Sequence, residues 1–157
     1  MCGRFTQAQT REEYLAYLAN EANRNIAYDP EPIGRYNVAP GTKVLLLSER
    51  DEQLHLDPVL WGYAPGWWDK QTLINARVET AAADKGLVDI HDRRPLVLSP
   101  EAAREWMRQN VGGKEAGEIA VDGAVPVNKF IWHAVTRAVG NVKNQGPELI
   151  QSTNYAC

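Results

Sequence analysis

Cysteine is almost missing from this 157-residue chain: it occurs twice, at Cys2 and Cys157, each within a residue of a chain end. Two cysteines and three scattered histidines, His55, His91 and His133, show none of the spacings that metal ligands adopt. No metal and no other cofactor is therefore expected. Long apolar runs are missing too. The longest, such as "KVLLLS", fall far short of the ~20 residues of a membrane span, so no membrane partner is expected. No apolar stretch follows Met1, where Arg4 and a polar run to Glu13 stand instead. No secretory leader is therefore expected, and the expected compartment is the cytosol, where a disulfide between the two cysteines would be out of place. An excess of positive charge is absent as well: 17 Lys+Arg stand against 20 Asp+Glu, a net charge of −3. The balance excludes a global attraction to nucleic acid but leaves room for a local basic patch. What remains, 44% hydrophobic and 24% charged residues, is the composition of one ordinary globular domain.

The pattern along the chain reads as α+β. Residues 10–24, "TREEYLAYLANEANR", open with Thr10 and Glu13 in capping-box spacing and place Tyr14, Leu15, Leu18 and Ala22 on one helical face. "RYNVAPGT" holds too many breakers for regular structure. "KVLLLS" and "LHLDPVLWGY" flank the polar turn "ERDEQ" and predict a hairpin. "TLINARVE" alternates as a strand does. In "SPEAAREWMRQN", Ser99 as N-cap and Pro100 at the first helical position predict a second helix, with Gly112 and Gly113 beyond its end. "FIWHAVTRAV" reads as a late strand, and Trp61, Trp106 and Trp132 read as core. No linker, repeat or low-complexity segment divides the chain.

The position of Cys2 raises a chemical possibility. Met1 is removable before a small residue, and Cys2 would then carry both a free α-amine and a thiol. Their reference pKa values, about 7.7–8.0 and about 8.5, leave a useful fraction of each nucleophilic near neutral pH. Such an aminothiol traps aldehydes, because the amine forms a Schiff base and the thiol closes a five-membered thiazolidine onto it. Gly3 lets the backbone approach a ligand closely, and Arg4 supplies a guanidinium fork for an anion.

Six stretches together carry a resemblance: "MCGRFT" at the start, "RYNVAPGT" at 35–42, "WGYAPGWW" at 61–68, "INARVET" at 74–80, "IHDRRP" at 90–95 and "VGNVKNQGPELI" at 139–150. In this order the chain resembles the SOS response-associated peptidase family. The resemblance implies a compact, β-rich, barrel-like fold with flanking helices. It implies an enzyme that captures the ring-opened aldehyde of an abasic site in single-stranded DNA as a thiazolidine cross-link. It assigns Cys2 as nucleophile, Asn75 as the amide that orients the deoxyribose, and His91 as the proton carrier. Arg4, Arg77 and Arg93 would hold phosphates, and Trp67 and Trp68 would stack on bases at a single-strand/double-strand junction. Asn37 and Pro40 belong to a loop beside the cysteine, and Thr80 to the DNA-contacting motif. Arg94 reads as a solvated side chain. His55 and His133 have no motif behind them and read as structural.

The chain also departs from the family. Relatives carry a long central segment between the "ARVET" and "IHDRRP" motifs, and it holds a catalytic glutamate. Here only ten residues, 81–90, separate Thr80 from His91, so no residue takes that role. One alanine-rich stretch, "ETAAADKG", stands where relatives have two, as a deletion between similar stretches would leave it. A fold short of central strands exposes sheet edges that invite pairing with another chain, so a monomer and a homo-oligomer both remain open. Two rival functions remain beside abasic-site capture. One is an N-terminal-nucleophile peptidase using Cys2 with its own amine as base; the other is a single-stranded DNA binder that has lost turnover.

Overall fold

The computed structural model describes residues 3–18, 24–62, 80–82 and 93–153. Their strands form three antiparallel two-stranded ladders: β1 (Phe5–Gln7) with β2 (Arg35–Val38), β3 (Lys43–Arg50) with β4 (Gln53–Leu60), and β5 (Thr80–Ala82) with β6 (Arg93–Pro95). Helix α1 (Arg11–Leu18) follows β1, and α2 (Pro100–Trp106) and α3 (Gly113–Asp122) follow β6. Three 3₁₀ turns, Val127–Lys129, Arg137–Gly140 and Pro147–Ile150, complete the chain. The class is α+β, and among the described residues no sheet closes into a barrel.

The capping box of α1 forms in both directions: the Thr10 N–H donates to Glu13 Oε2 at 2.8 Å, and the Glu13 N–H donates to Thr10 Oγ1 at 3.1 Å. Both are otherwise unpaired donors of a first helical turn. The inward face delivers Leu15, 1% exposed, onto Leu54, with Ile26 and Leu47 packed around the pair. The helix ends before the expected residue 24. Arg24 bridges Leu54, and the Asn25 N–H donates to the Leu54 carbonyl at 2.9 Å, so this edge of the hairpin claims the chain.

The β3–β4 hairpin forms as expected but with other boundaries: both strands run into the polar "ERDEQ" stretch, which leaves Arg50 opposite Gln53 and a two-residue turn between them, and β4 ends at Leu60. Such a turn needs both central residues at positive φ to match the strand twist. Asp51 at 51° and Glu52 at 58° supply it without a glycine. Pro58 faces Leu45 across the ladder. The Leu45 backbone turns the other way, exchanging bonds with the Gln7 side-chain amide at 2.9 and 3.1 Å. The missing N–H of Pro58 therefore costs no ladder bond, and Gln7 ties β1 to β3.

Three expectations are corrected, and one helix is additional to them, since Gly112 and Gly113 do lie beyond the end of α2. Residues Arg35–Val38 are a strand, because the Pro-Gly breakers begin only at Pro40 and the strand's last two residues, Asn37 and Val38, are buried. The glycines after α2 begin another helix: Gly112 is the N-cap of α3, whose Ala120 is buried. Gly123, which follows α3, fits closely against α2, since a Cβ there would overlap that of Ala102. Segment 130–136 joins no ladder, and Ile131 is 95% exposed. Trp106 and Trp132 are about half exposed rather than core, whereas Trp61 packs edge-on against Phe5 at 4.9 Å.

Two substitutions test this architecture. Glu52→Gly relieves a left-handed backbone at a side-chain-bearing residue and is expected to raise stability in urea by roughly 0.5–1 kcal/mol. Gly123→Ala is expected to lower it by about 1–3 kcal/mol through overpacking between α2 and α3. A neutral Glu52→Gly would show that the turn is not held in this conformation.

Candidate functional site

The described part of the site is built on the β1–β2 ladder, where Phe5 pairs with Val38 and Gln7 with Arg35. This ladder carries the chain away from residues 3 and 4. Beyond β2 comes the Pro40 loop. Gly41, at φ 78°, takes the left-handed conformation that a Pro-Gly turn requires. Thr42 Oγ1 donates to the Ala39 carbonyl at 2.7 Å, and the Gly41 N–H donates to the Trp61 carbonyl at 2.9 Å. Pro40 is thus presented, half-buried, on a loop fixed at both sides.

Asn37 is 1% exposed and lies on β2. Its Nδ2 faces the carbonyls of Val139, Asn141 and Asn144 at 3.1, 3.0 and 3.1 Å. Gln145 grips the Asn37 backbone: its Oε1 accepts from the Asn37 N–H at 3.2 Å, and its Nε2 donates to the Asn37 carbonyl at 2.9 Å. Arg4 reaches the same loop, with Nη1 donating to the Val139 carbonyl at 3.3 Å and Nη2 to that of Gly140 at 3.5 Å. Strand β2 and residue 4 are therefore joined in one hydrogen-bonded unit with the 139–145 loop, which lies more than a hundred residues from either in sequence. In this arrangement the Asn37 amide holds carbonyls rather than facing solvent, and the Arg4 guanidinium is engaged by the backbone. Two buried polar atoms, Asn37 Oδ1 and Arg4 Nε, have no hydrogen-bond partner among the described residues.

The ladder β5–β6 brings two other expected residues close: Ala82 lies opposite Arg93 and Thr80 opposite Pro95. Arg94 is not solvated. It is 9% exposed, lies over the Phe130 ring at 4.8 Å, and donates to the carbonyls of Pro95 and Val125 at 3.2 and 3.4 Å. His55 is on β4, and His133 Nε2 lies 2.9 Å from the Ile150 carbonyl. Cys2, Trp67, Trp68, Asn75, Arg77 and His91 fall outside the described residues. Sequence reasoning assigned no role to Gln145, although the "VGNVKNQGPELI" motif contains it. The signal was an amide immediately before the Gly146-Pro147 turn that buries Leu149.

Comparison with known proteins adds to this geometry. The model of the family described as SOS response associated peptidase (SRAP) matches residues 1–87 and again residues 80–142, so residues 80–87 fall within both matches. The abasic site processing protein YedK of Escherichia coli K12 is 56% identical over 220 aligned positions, which span 96% of this chain and 99% of that protein. Because this chain has 157 residues, at least 63 of those positions, 220 less 157, face no residue here. The mouse abasic site processing protein HMCES is 30% identical over 55% of this chain and 23% of its own length. A solved phage-related protein from Bordetella bronchiseptica superposes with a TM-score of 0.60 at 24% identity, covering 80% of this chain and 90% of that one. This last likeness concerns the fold.

The unit centred on Asn37 generates a direct test. Asn37→Ala removes the donor shared by three carbonyls, and Gln145→Ala frees a buried N–H and C=O. Each is expected to lower unfolding free energy by about 2 kcal/mol or more in urea. The double variant should lose less than the sum, because both substitutions release the same loop. Additive losses would mean that the two amides act independently.

Proposed function

This chain belongs to the SOS response-associated peptidase family, and on that premise we propose that it captures abasic sites in single-stranded DNA through Cys2. The carrying observation is the 56% identity, over 96% of the chain, to a protein named for abasic site processing. The reaction starts from mature protein with Met1 removed. The Cys2 α-amine adds to the C1 aldehyde of the ring-opened deoxyribose and loses one water to give an iminium. The thiolate then forms the C–S bond at the same carbon, the electron pair returns to nitrogen, and a thiazolidine results. Ring closure removes the iminium, which would otherwise promote β-elimination and strand breakage.

Each remaining residue has a part in this reading. Asn75 orients the sugar by hydrogen bonds without titrating. His91 moves protons during ring opening and Schiff-base formation. Arg77 and Arg93 hold phosphates, with Thr80 in the same sequence motif as Arg77. Trp67 and Trp68 stack on bases where single-stranded DNA meets duplex. Asn37 and Pro40 act on DNA by shaping the loop that flanks the amino terminus. Arg4, engaged with the Val139 and Gly140 carbonyls, fixes the backbone directly after Cys2.

The fold that accompanies this function is a single domain of the family's β-rich kind, lacking a central segment between Thr80 and His91. Two observations support that reading: the double coverage of residues 80–87, and the aligned positions that find no counterpart in this chain. With that segment goes the glutamate that would partner His91, so adduct formation is slow and reversal slower still. The protein works in the cytosol, at genomic DNA. The missing positions also favour a second reading, a DNA binder without turnover.

A time course on abasic single-stranded oligonucleotide, resolved on a denaturing gel, separates the two. Wild type is expected to form a covalent adduct, Cys2→Ala none, and His91→Ala an adduct slowed by about 10²–10⁴-fold. If folded wild type gives no adduct while binding the oligonucleotide, the binder reading replaces the catalytic one.

A further inference from the structure

We propose that a groove beside β1 holds one base of single-stranded DNA, stacked on Trp132, with the adjoining phosphates on Lys129, Arg137 and Lys143. The groove has a volume of about 330 Å³, within the range of natural ligand clefts. Arg4, Phe5, Tyr36, Trp132, Val135 and Ile150 are among the residues that line it. Trp132 is 43% exposed and its neighbour Ile131 95% exposed, so this apolar segment lies open rather than in the core. It does not join a ladder, although its middle is tied down: the Thr153 N–H donates to the Ala134 carbonyl at 2.9 Å, and His133 meets the Ile150 carbonyl. An open aromatic held on a fixed backbone is a stacking platform.

Charge selects the occupant. From residue 123 to residue 147 the sequence carries Lys129, Arg137 and Lys143 and no aspartate or glutamate. None of the three forms an ion pair with a carboxylate among the described residues. In a chain of net charge −3 this stretch, between Asp122 and Glu148, carries charge of one sign only, in cations that flank the residues of the groove in sequence rather than line it. A larger cleft of about 620 Å³, between α1, the β3–β4 hairpin and α2, is lined by Glu49, Glu52, Glu101 and Glu105 against two arginines, and would repel phosphate. The groove also adjoins the proposed chemistry. Arg4 lines it, and Arg4 is two residues from Cys2, a length of chain that spans at most about 7 Å. A strand whose abasic sugar sits at Cys2 can thus place a neighbouring base on Trp132. The inference rests on the proposed function for its choice of DNA, but the binding it claims needs no covalent step.

The test uses a labelled oligonucleotide without an abasic site, followed by fluorescence anisotropy at several salt concentrations. Trp132→Ala is expected to weaken binding about tenfold, and Trp132→Phe to keep most of the affinity. Replacing Lys129, Arg137 and Lys143 together by Gln should reduce the log–log salt slope by about 2, at about 0.7 per phosphate. Unchanged affinity in Trp132→Ala overturns the groove. So does an equal loss in Trp132→Ala and Trp132→Phe that tracks a lower melting temperature, which assigns the indole to packing. A wild-type dimer that Trp132→Ala dissociates and the oligonucleotide does not compete with would give the surface to a second copy. Adduct yield on abasic DNA is read in parallel. Normal adduct with unchanged affinity sinks the groove alone, whereas weakened binding in Trp132→Ala with no adduct in wild type sinks the catalytic reading alone.

Discussion

The Asn37 amide faces three carbonyls of one loop while Gln145 closes on the Asn37 backbone from that same loop. A buried amide N–H is costly unless it is paired, and here the pairing of Nδ2 joins elements that no strand ladder connects. Arg4 adds two bonds to the same loop, so the segment entering β1 is positioned from the far end of the sequence. The amino-terminal nucleophile of the proposed reaction thus depends on a contact whose other half lies beyond residue 138. Truncating the chain after α3 would remove that half and leave the Asn37 amide buried and unpaired.

Local signals were legible wherever a short-range bond decides the structure. The Thr10–Glu13 box, the Ser99–Pro100 helix start and the "ERDEQ" turn each declare themselves within four residues. Features set by distant contacts were not legible. Strand β2 looked broken because its partner β1 is thirty residues away. Helix α3 starts with two glycines and contains a third, and tertiary packing on α2 overrides that poor propensity. The apolar stretch at 130–136 has strand composition but no strand partner among the described residues. At the site, the motifs named Arg4, Asn37 and Pro40. Only the coordinates revealed that Asn37 grips a loop, or that Gln145 answers it.

A relative aligned end to end has at least 63 positions with no residue opposite them here, while residues 80–87 satisfy both arms of the family model. The buried apolar side chains among the described residues are few and all small or branched aliphatic: Leu15, Val38, Ala39, Leu54, Ala102, Ala120 and Leu149. Large apolar groups at Ile131, Val121, Tyr17 and Tyr28 remain open to solvent. With few buried apolar side chains among the described residues, the hydrogen-bonded unit at Asn37 takes a larger share in holding these elements together.

The central claim is covalent chemistry at the amine and thiol of Cys2. Intact-mass spectrometry of folded protein incubated with an abasic single-stranded oligonucleotide tests it most directly. The account predicts a species at the mass of the chain without Met1 plus the oligonucleotide less one water, with the adduct mapped to the peptide beginning at Cys2. Free protein that retains Met1, or an adduct mapped to a lysine elsewhere, would contradict it.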